Sequence, residues 1–108
     1  MLEHALSRQP WNVLVRGTNM TQQAMVAVED LVREIARALV DEPDAVDVQS
    51  VSREENTVLK LRVAPQDVGK VIGKQGRTAR SMRTILGAVS MKVRHRFTLD
   101  ILEEGEDA

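Results

Sequence analysis

The sequence predicts an α+β fold: a two-layer sandwich with a three-stranded sheet and three helices on one face, in the order α-β-β-α-α-β. Three observations carry this. Apolar residues recur at spacings of three and four over residues 21–39 and again over 77–93, as in amphipathic helices. Over 57–63 and 97–101 they alternate instead, as in strands with one buried face. Pro43, Pro65, Gly73 and Gly76 fall between these segments and mark where one element must give way to the next.

The first helix is expected from Thr21 over about five turns, with Ala24, Val28, Leu31, Val32, Ile35 and Leu39 facing inward and Glu29, Asp30, Arg33, Glu34 and Arg37 between them. It stops at "DEPDA", because Pro43 has no amide proton and disfavours helical geometry in the residue before it. "AVDVQSV" and "TVLKLRV" then read as a hairpin around the polar turn "REEN". The second strand places Leu59, Leu61 and Val63 on one face and Val58, Lys60 and Arg62 on the other. Pro65 opens a short helix, Gln66 to Ile72, which the glycines end. A longer helix starts near Arg77 and carries Ala79, Met82, Ile85, Leu86, Val89 and Val93, with Gly87 as its weak point. Met82, Ile85 and Val89 read as core, with part of that stripe a candidate dimer surface. His95 is expected in an exposed turn before a third strand, Phe97 to Ile101.

At 108 residues the chain fits one small domain. Residues 1–19 read as an N-terminal extension with "WNVLV" as a candidate docking strand, 20–104 as the domain, and 105–108 as an acidic tail. Met20 is an alternative start of translation, which the intact mass of the native protein settles. No apolar run approaches the roughly 20 residues needed to cross a bilayer, and the N-terminus lacks the basic and apolar regions of a signal peptide. With no cysteine, disulfides and thiolate metal sites are excluded, and a cytoplasmic location without membrane association is expected. Neither metal-ligand spacing nor a nucleophile with its base is visible, so no cofactor and no enzymatic activity are expected.

The net charge of −1 conceals a division along the chain. Between Val68 and Leu99 stand eight basic residues and no acid, while the rest holds seven basic residues against all 16 acidic ones. Such a division points to a polyanionic partner bound by one surface. The basic segment opens with "VGKVIGKQGRTA". Its glycines do not make a P-loop, since only three residues separate Gly69 from Gly73-Lys74 and Gln75 follows where Ser or Thr is needed. Nor do they make a dinucleotide fingerprint, since Val71 stands where a glycine is required. What remains is Gly73-Lys74-Gln75-Gly76, a GxxG between two helices of the kind with which KH domains clamp about four nucleotides.

Residues 20–104, and "RVAPQDVGKVIGKQGRTARSMRTIL" above all, resemble the small bacterial single-domain KH proteins of the KhpA family, with a type II KH fold. Residues 1–19 fall outside the resemblance. It implies a single-stranded RNA-binding protein acting as an RNA chaperone or post-transcriptional regulator, a second KH-containing protein of the Jag (KhpB) type as partner, and homodimers. The expected site comprises Lys70, Val71, Ile72, Gly73, Lys74, Gln75, Gly76, Arg77 and Arg80. The glycines let a phosphodiester approach the backbone, the start of the second helix offers amides to it, and Lys74 and Arg77 add cationic donors. Lys70, Arg80 and Arg83 are read as general electrostatic contributors. Bases are expected over a groove of Val71, Ile72, Leu61 and Val63, since Trp11 and Phe97 are the only aromatic residues and offer no stacking platform. Single-stranded DNA is a secondary ligand. The alternatives are a protein-interaction or assembly module that uses the KH fold without RNA, and a ribosome-assembly factor.

Overall fold

The computed structural model describes residues 16–103. Helix α1 spans Arg16–Leu39, and strands β1 (Asp47–Arg53) and β2 (Asn56–Arg62) follow. Helix α2 (Val68–Ile72), helix α3 (Arg77–Val93) and strand β3 (Arg96–Ile101) complete the order α-β-β-α-α-β. Short 3-10 turns at Pro43–Ala45, Pro65–Asp67 and Lys74–Gly76 join them. The α+β class and the order agree with the sequence reading. The "WNVLV" segment and the acidic tail lie outside the described residues.

The sheet order is β1-β2-β3. β1 and β2 pair antiparallel across the two-residue turn Glu54-Glu55. β2 and β3 pair parallel, as the long crossover through α2 and α3 requires. The registers align side chains into rows under the helices: Val48 beside Leu61 and Ile101, and Ser50 beside Leu59 and Leu99. Leu59 and Leu61 are wholly buried, so the central strand supplies the floor of the core. Val28, Val32 and Ala36 of α1, Val71 of α2, and Met82 and Leu86 of α3 close over it.

Three sequence expectations need correction. α1 begins at Arg16 rather than Thr21, and so crosses the boundary expected at residues 19 and 20. Its buried stripe is Val28, Val32, Ala36 and, just past its end, Val40, whereas Leu31 and Leu39 are each 38% exposed. Leu31 stands about 100° round the helix from Val32, and Leu39 is the last helical residue. Ile85 of α3 is likewise on the flank, 44% exposed, because Leu86 takes the inward position beside it.

His95 is the third. It follows Arg94, whose left-handed conformation (φ 57°, ψ 41°) ends α3, with the His95 amide donating to the Ser90 carbonyl at 3.3 Å. Instead of standing free in solvent, His95 is half-buried, its Nε2 lying 2.7 Å from Oγ1 of the fully buried Thr57. Thr57 also meets the Ser52 hydroxyl at 3.1 Å, so its burial leaves no unpaired hydroxyl. The His95 ring packs 5.1 Å from Phe97, which fixes the start of β3.

Leu59→Ala is expected to cost about 2–5 kcal/mol, because Leu59 is fully buried in the core and its truncation leaves a cavity. Ile85→Ala is expected to cost less than about 1 kcal/mol, as its side chain is already partly in water. Urea denaturation of the two variants beside the parent protein measures the contrast.

Candidate nucleic-acid interface

The GKQG segment joins α2 to α3 through backbone conformations that few residues adopt. Gly73 lies at φ 83°, ψ 166°, a region open in practice only to glycine. Gln75 (φ 58°, ψ 25°) and Gly76 (φ 74°, ψ 13°) are both left-handed. Space distinguishes the two glycines further. A Cβ on Gly73 would lie 2.3 Å from Thr78 Oγ1 and 2.8 Å from the Thr78 amide nitrogen, whereas one on Gly76 would meet only Arg80 Nη2 at 3.8 Å. Gly73 is therefore demanded by packing as well as by conformation. Gly76 is demanded by conformation alone.

The loop is braced from both sides. The Gly73 amide donates to Gly69 O at 2.9 Å, continuing α2, and the Gly76 amide donates to Gly73 O at 3.0 Å. The Arg77 amide donates to Lys74 O. Arg80 Nη2 reaches back from α3 to the Gln75 carbonyl at 3.3 Å. Lys74, Gln75 and Arg77 are exposed, so two cationic side chains flank a turn whose internal bonds give the Lys74 and Gln75 amides no carbonyl. The α3 dipole directs its positive end toward the same place.

Other expected site residues take different positions. Val71 is fully buried in the core, as are Leu61 and all but 6% of Val63. These three side chains offer no surface to a base, and the groove expected over them is not formed. Ile72 is half-buried at the end of α2, beside the loop. An open groove of about 490 Å³ lies elsewhere, between α3 and the free edge of β3, lined by Arg83, Gly87, Met91, Arg96 and Thr98 among others. Gly87 contributes an absence of side chain to its wall, and Met91 is 82% exposed at its margin. Arg83 spans the groove, donating from Nε and Nη2 to Leu99 O at 3.3 and 3.2 Å. It stands seven residues beyond Gly76, roughly 10 Å along the helix. Sequence reasoning missed this groove because it needs the position of β3 against α3, although Gly87 within an otherwise good helix was its trace.

A family model described as "KhpA/KhpB, KH domain" matches residues 29–101, which takes in both hairpin strands, the GKQG loop, α3 and β3. The chain belongs to this family. Among its KhpA relatives, one from Aquifex aeolicus is 49% identical over 79 residues, covering 73% of this chain and all of the relative. One from Caldanaerobacter subterraneus is 47% identical over 73 residues, covering 68% of this chain and 97% of the relative. One from Treponema pallidum is 49% identical over 75 residues, covering 69% and 94%. Each is called an RNA-binding protein KhpA, and none bears the name of an enzyme. A solved structure of Era, in complex with MgGDPNP and nucleotides 1506–1542 of 16S ribosomal RNA, superposes on 71% of this chain and 31% of its own, with a TM-score of 0.46 and 17% identity.

At the KhpA-like loop, Lys70 is not the free cation its sequence suggests. Its ammonium lies 3.4 Å from Asp41 Oδ2 and 3.4 Å from Asp67 Oδ1. These carboxylates, Asp67 first, raise its pKa above the ordinary lysine value. Asp67 itself is fully buried. Burial alone would raise its carboxyl, but hydrogen bonds from the Asp41 and Glu42 amides, together with Lys70, hold it below the ordinary aspartate value of 3.8.

Gly73→Ala is expected to disrupt the loop and to lower the melting temperature well beyond Gly76→Ala, whose left-handed strain costs about 1–2 kcal/mol. Thermal unfolding of the pair, followed by circular dichroism, reads the difference. The depressed Asp67 carboxyl adds stability that is present above pH 3.8 and is lost as the pH falls through its folded value. Stability of the parent protein should therefore fall more steeply on acidification below that point than stability of Asp67→Asn, as urea titrations across acid pH would show.

Proposed function

We propose that this chain binds single-stranded RNA and that the GKQG loop clamps the RNA backbone. The observation that carries the reading is the loop's geometry: a turn that requires glycine at 73 and leads into a long helix, with Lys74 and Arg77 exposed on either side of uncommitted amides. The family supports it, since its KhpA members are named as RNA-binding proteins. A phosphate beside Gly76 would receive amide donors from Lys74 and Gln75, charge from Lys74, and a forked guanidinium from Arg77. Arg80 acts one step back, holding the Gln75 carbonyl so that the loop keeps its turn. Ile72 and the groove between α3 and β3 receive the bases, with Arg83 and Arg96 placed to attract the continuing strand. With no aromatic platform in that groove other than Phe97, itself only 4% exposed, a single domain binds weakly.

The protein acts, in this reading, as a cytoplasmic RNA chaperone or post-transcriptional regulator, with residues 20–104 as its working unit. Weak single-site binding favours association, because a second KH module linked to the first raises the effective concentration of the next contact. The shared KhpA/KhpB description supports a KhpB-type partner. A homodimer has an apolar surface available in Ile85, 44% exposed on α3.

A fluorescent mixed-sequence single-stranded RNA titrated at two salt concentrations tests the clamp. The native protein is expected to bind, with affinity falling as salt rises. The double variant Lys74→Asp, Gln75→Asp should lose about tenfold or more, the value of a charge-assisted phosphate contact, while its circular dichroism is unchanged. Equal binding by both proteins would remove the loop from the interface. Absence of binding by the native protein at low salt would overturn the RNA reading in favour of a protein-only assembly module, and co-sedimentation with ribosomal subunits would mark a ribosome-assembly role.

A further inference from the structure

Asp67 is a fully buried carboxylate that the proposed RNA contacts do not use. We infer that Asp67 is a positioning residue for the GKQG loop, and that it withholds Lys70 from RNA. The inference rests on the clamp reading and adds to it the question of what holds the clamp in place.

The connection is short and continuous. Asp67 is the residue before α2, and α2 is a single five-residue helix that ends at Gly73. Oδ2 of Asp67 accepts the Asp41 amide at 3.2 Å and the Glu42 amide at 3.1 Å, both where the chain leaves α1. Gln66 adds a side-chain contact to the Glu42 carboxylate. The buried Asp67 carboxylate thus ties the start of α2 to the end of α1 by two backbone hydrogen bonds, with the loop one turn and a half away along α2. A buried charge is costly, and an apolar side chain here would avoid that cost only by leaving two amides unpaired. The carboxylate satisfies them and fixes a direction.

The same group controls a cation. Lys70 lies on α2 between the buried Asp67 and Asp41, whose side chain is 74% exposed. An RNA phosphate near the loop must compete with both carboxylates for this ammonium. Asparagine at 67 keeps an acceptor for the two amides but removes the charge. Lys70 is then left with only the exposed Asp41, a pairing of the weak surface kind.

The test combines two measurements on the full chain. Amide hydrogen exchange at Gly73 and Gly76 is followed without RNA, and a labelled mixed-sequence single-stranded RNA is titrated over a series of salt concentrations. Asp67→Ala, folded by circular dichroism, should exchange faster at both glycines and bind RNA about tenfold or more weakly, as loss of a charge-assisted phosphate contact would give. Asp67→Asn should retain the exchange protection, and its salt dependence should steepen by about 0.7 in log K against log salt, the increment for one further cation on a single strand. Adding Lys70→Gln to Asp67→Asn should remove that increment. Unchanged exchange and affinity in Asp67→Ala, or an unchanged salt slope in Asp67→Asn, would overturn the inference. If Asp67→Ala does not fold, the slope of Asp67→Asn decides alone. If the parent protein binds no RNA, the clamp reading fails, and the exchange rates then decide whether Asp67 positions the loop.

Discussion

The α2-loop-α3 unit exists because residue 73 has no side chain. The chain reverses there with its backbone in a glycine-only region and with Thr78 lying where a Cβ would be. That approach brings the first turn of α3 against the end of α2 and sets the orientation of every donor that follows. Lys74, the left-handed Gln75 and Gly76, and the Arg77 guanidinium take their places from this one contact. Arg80 then fastens the turn from the helix side by holding the Gln75 carbonyl. The exposed surface of the loop is thus a consequence of how two helices pack, and the cationic side chains are additions to a geometry that the glycine makes.

The basic segment illustrates how far charge on paper differs from charge in space. Eight cations stand between Val68 and Leu99 without an acid, yet three of them are engaged inside the molecule. Lys70 faces Asp41 and Asp67, Arg80 donates to Gln75, and Arg83 donates to Leu99. Lys74 and Arg77 are both exposed on the loop itself. The segment as a whole contributes a positive long-range field, while the fold decides which of its cations are engaged within the molecule.

Local pattern carried most of the fold into view. The alternation in "TVLKLRV" located the central strand and its buried face, and the spacing from Ala79 to Val93 located α3. GKQG was legible because its neighbours on both sides read as helices. Where the sequence reading erred, a tertiary arrangement had chosen among equivalent candidates: Ala36 rather than Leu39 faces the core, and Leu86 rather than Ile85. Val71, Leu61 and Val63 have the composition of a groove, but depth decides between groove and core, and depth is not written in periodicity. Nothing in the sequence singles out Asp67, and His95 reads there as an exposed turn residue. Their partners, Asp41 and Glu42 for the one and Thr57 for the other, are distant in sequence and adjacent only once the sheet has formed.

The contacts made by α3 to β3 have another side. β3 is the last strand of the sheet, and its outward backbone groups would ordinarily invite a further strand to add on. Here Ser90 Oγ accepts the Phe97 amide at 2.9 Å, and Arg83 occupies the Leu99 carbonyl. Two helix side chains thereby stand in for a neighbouring strand at alternate positions, breaking the row of groups that an extended polypeptide would need. The opening beside them is left accessible to a ligand of other shape, while the edge itself is less open to the addition of a further strand.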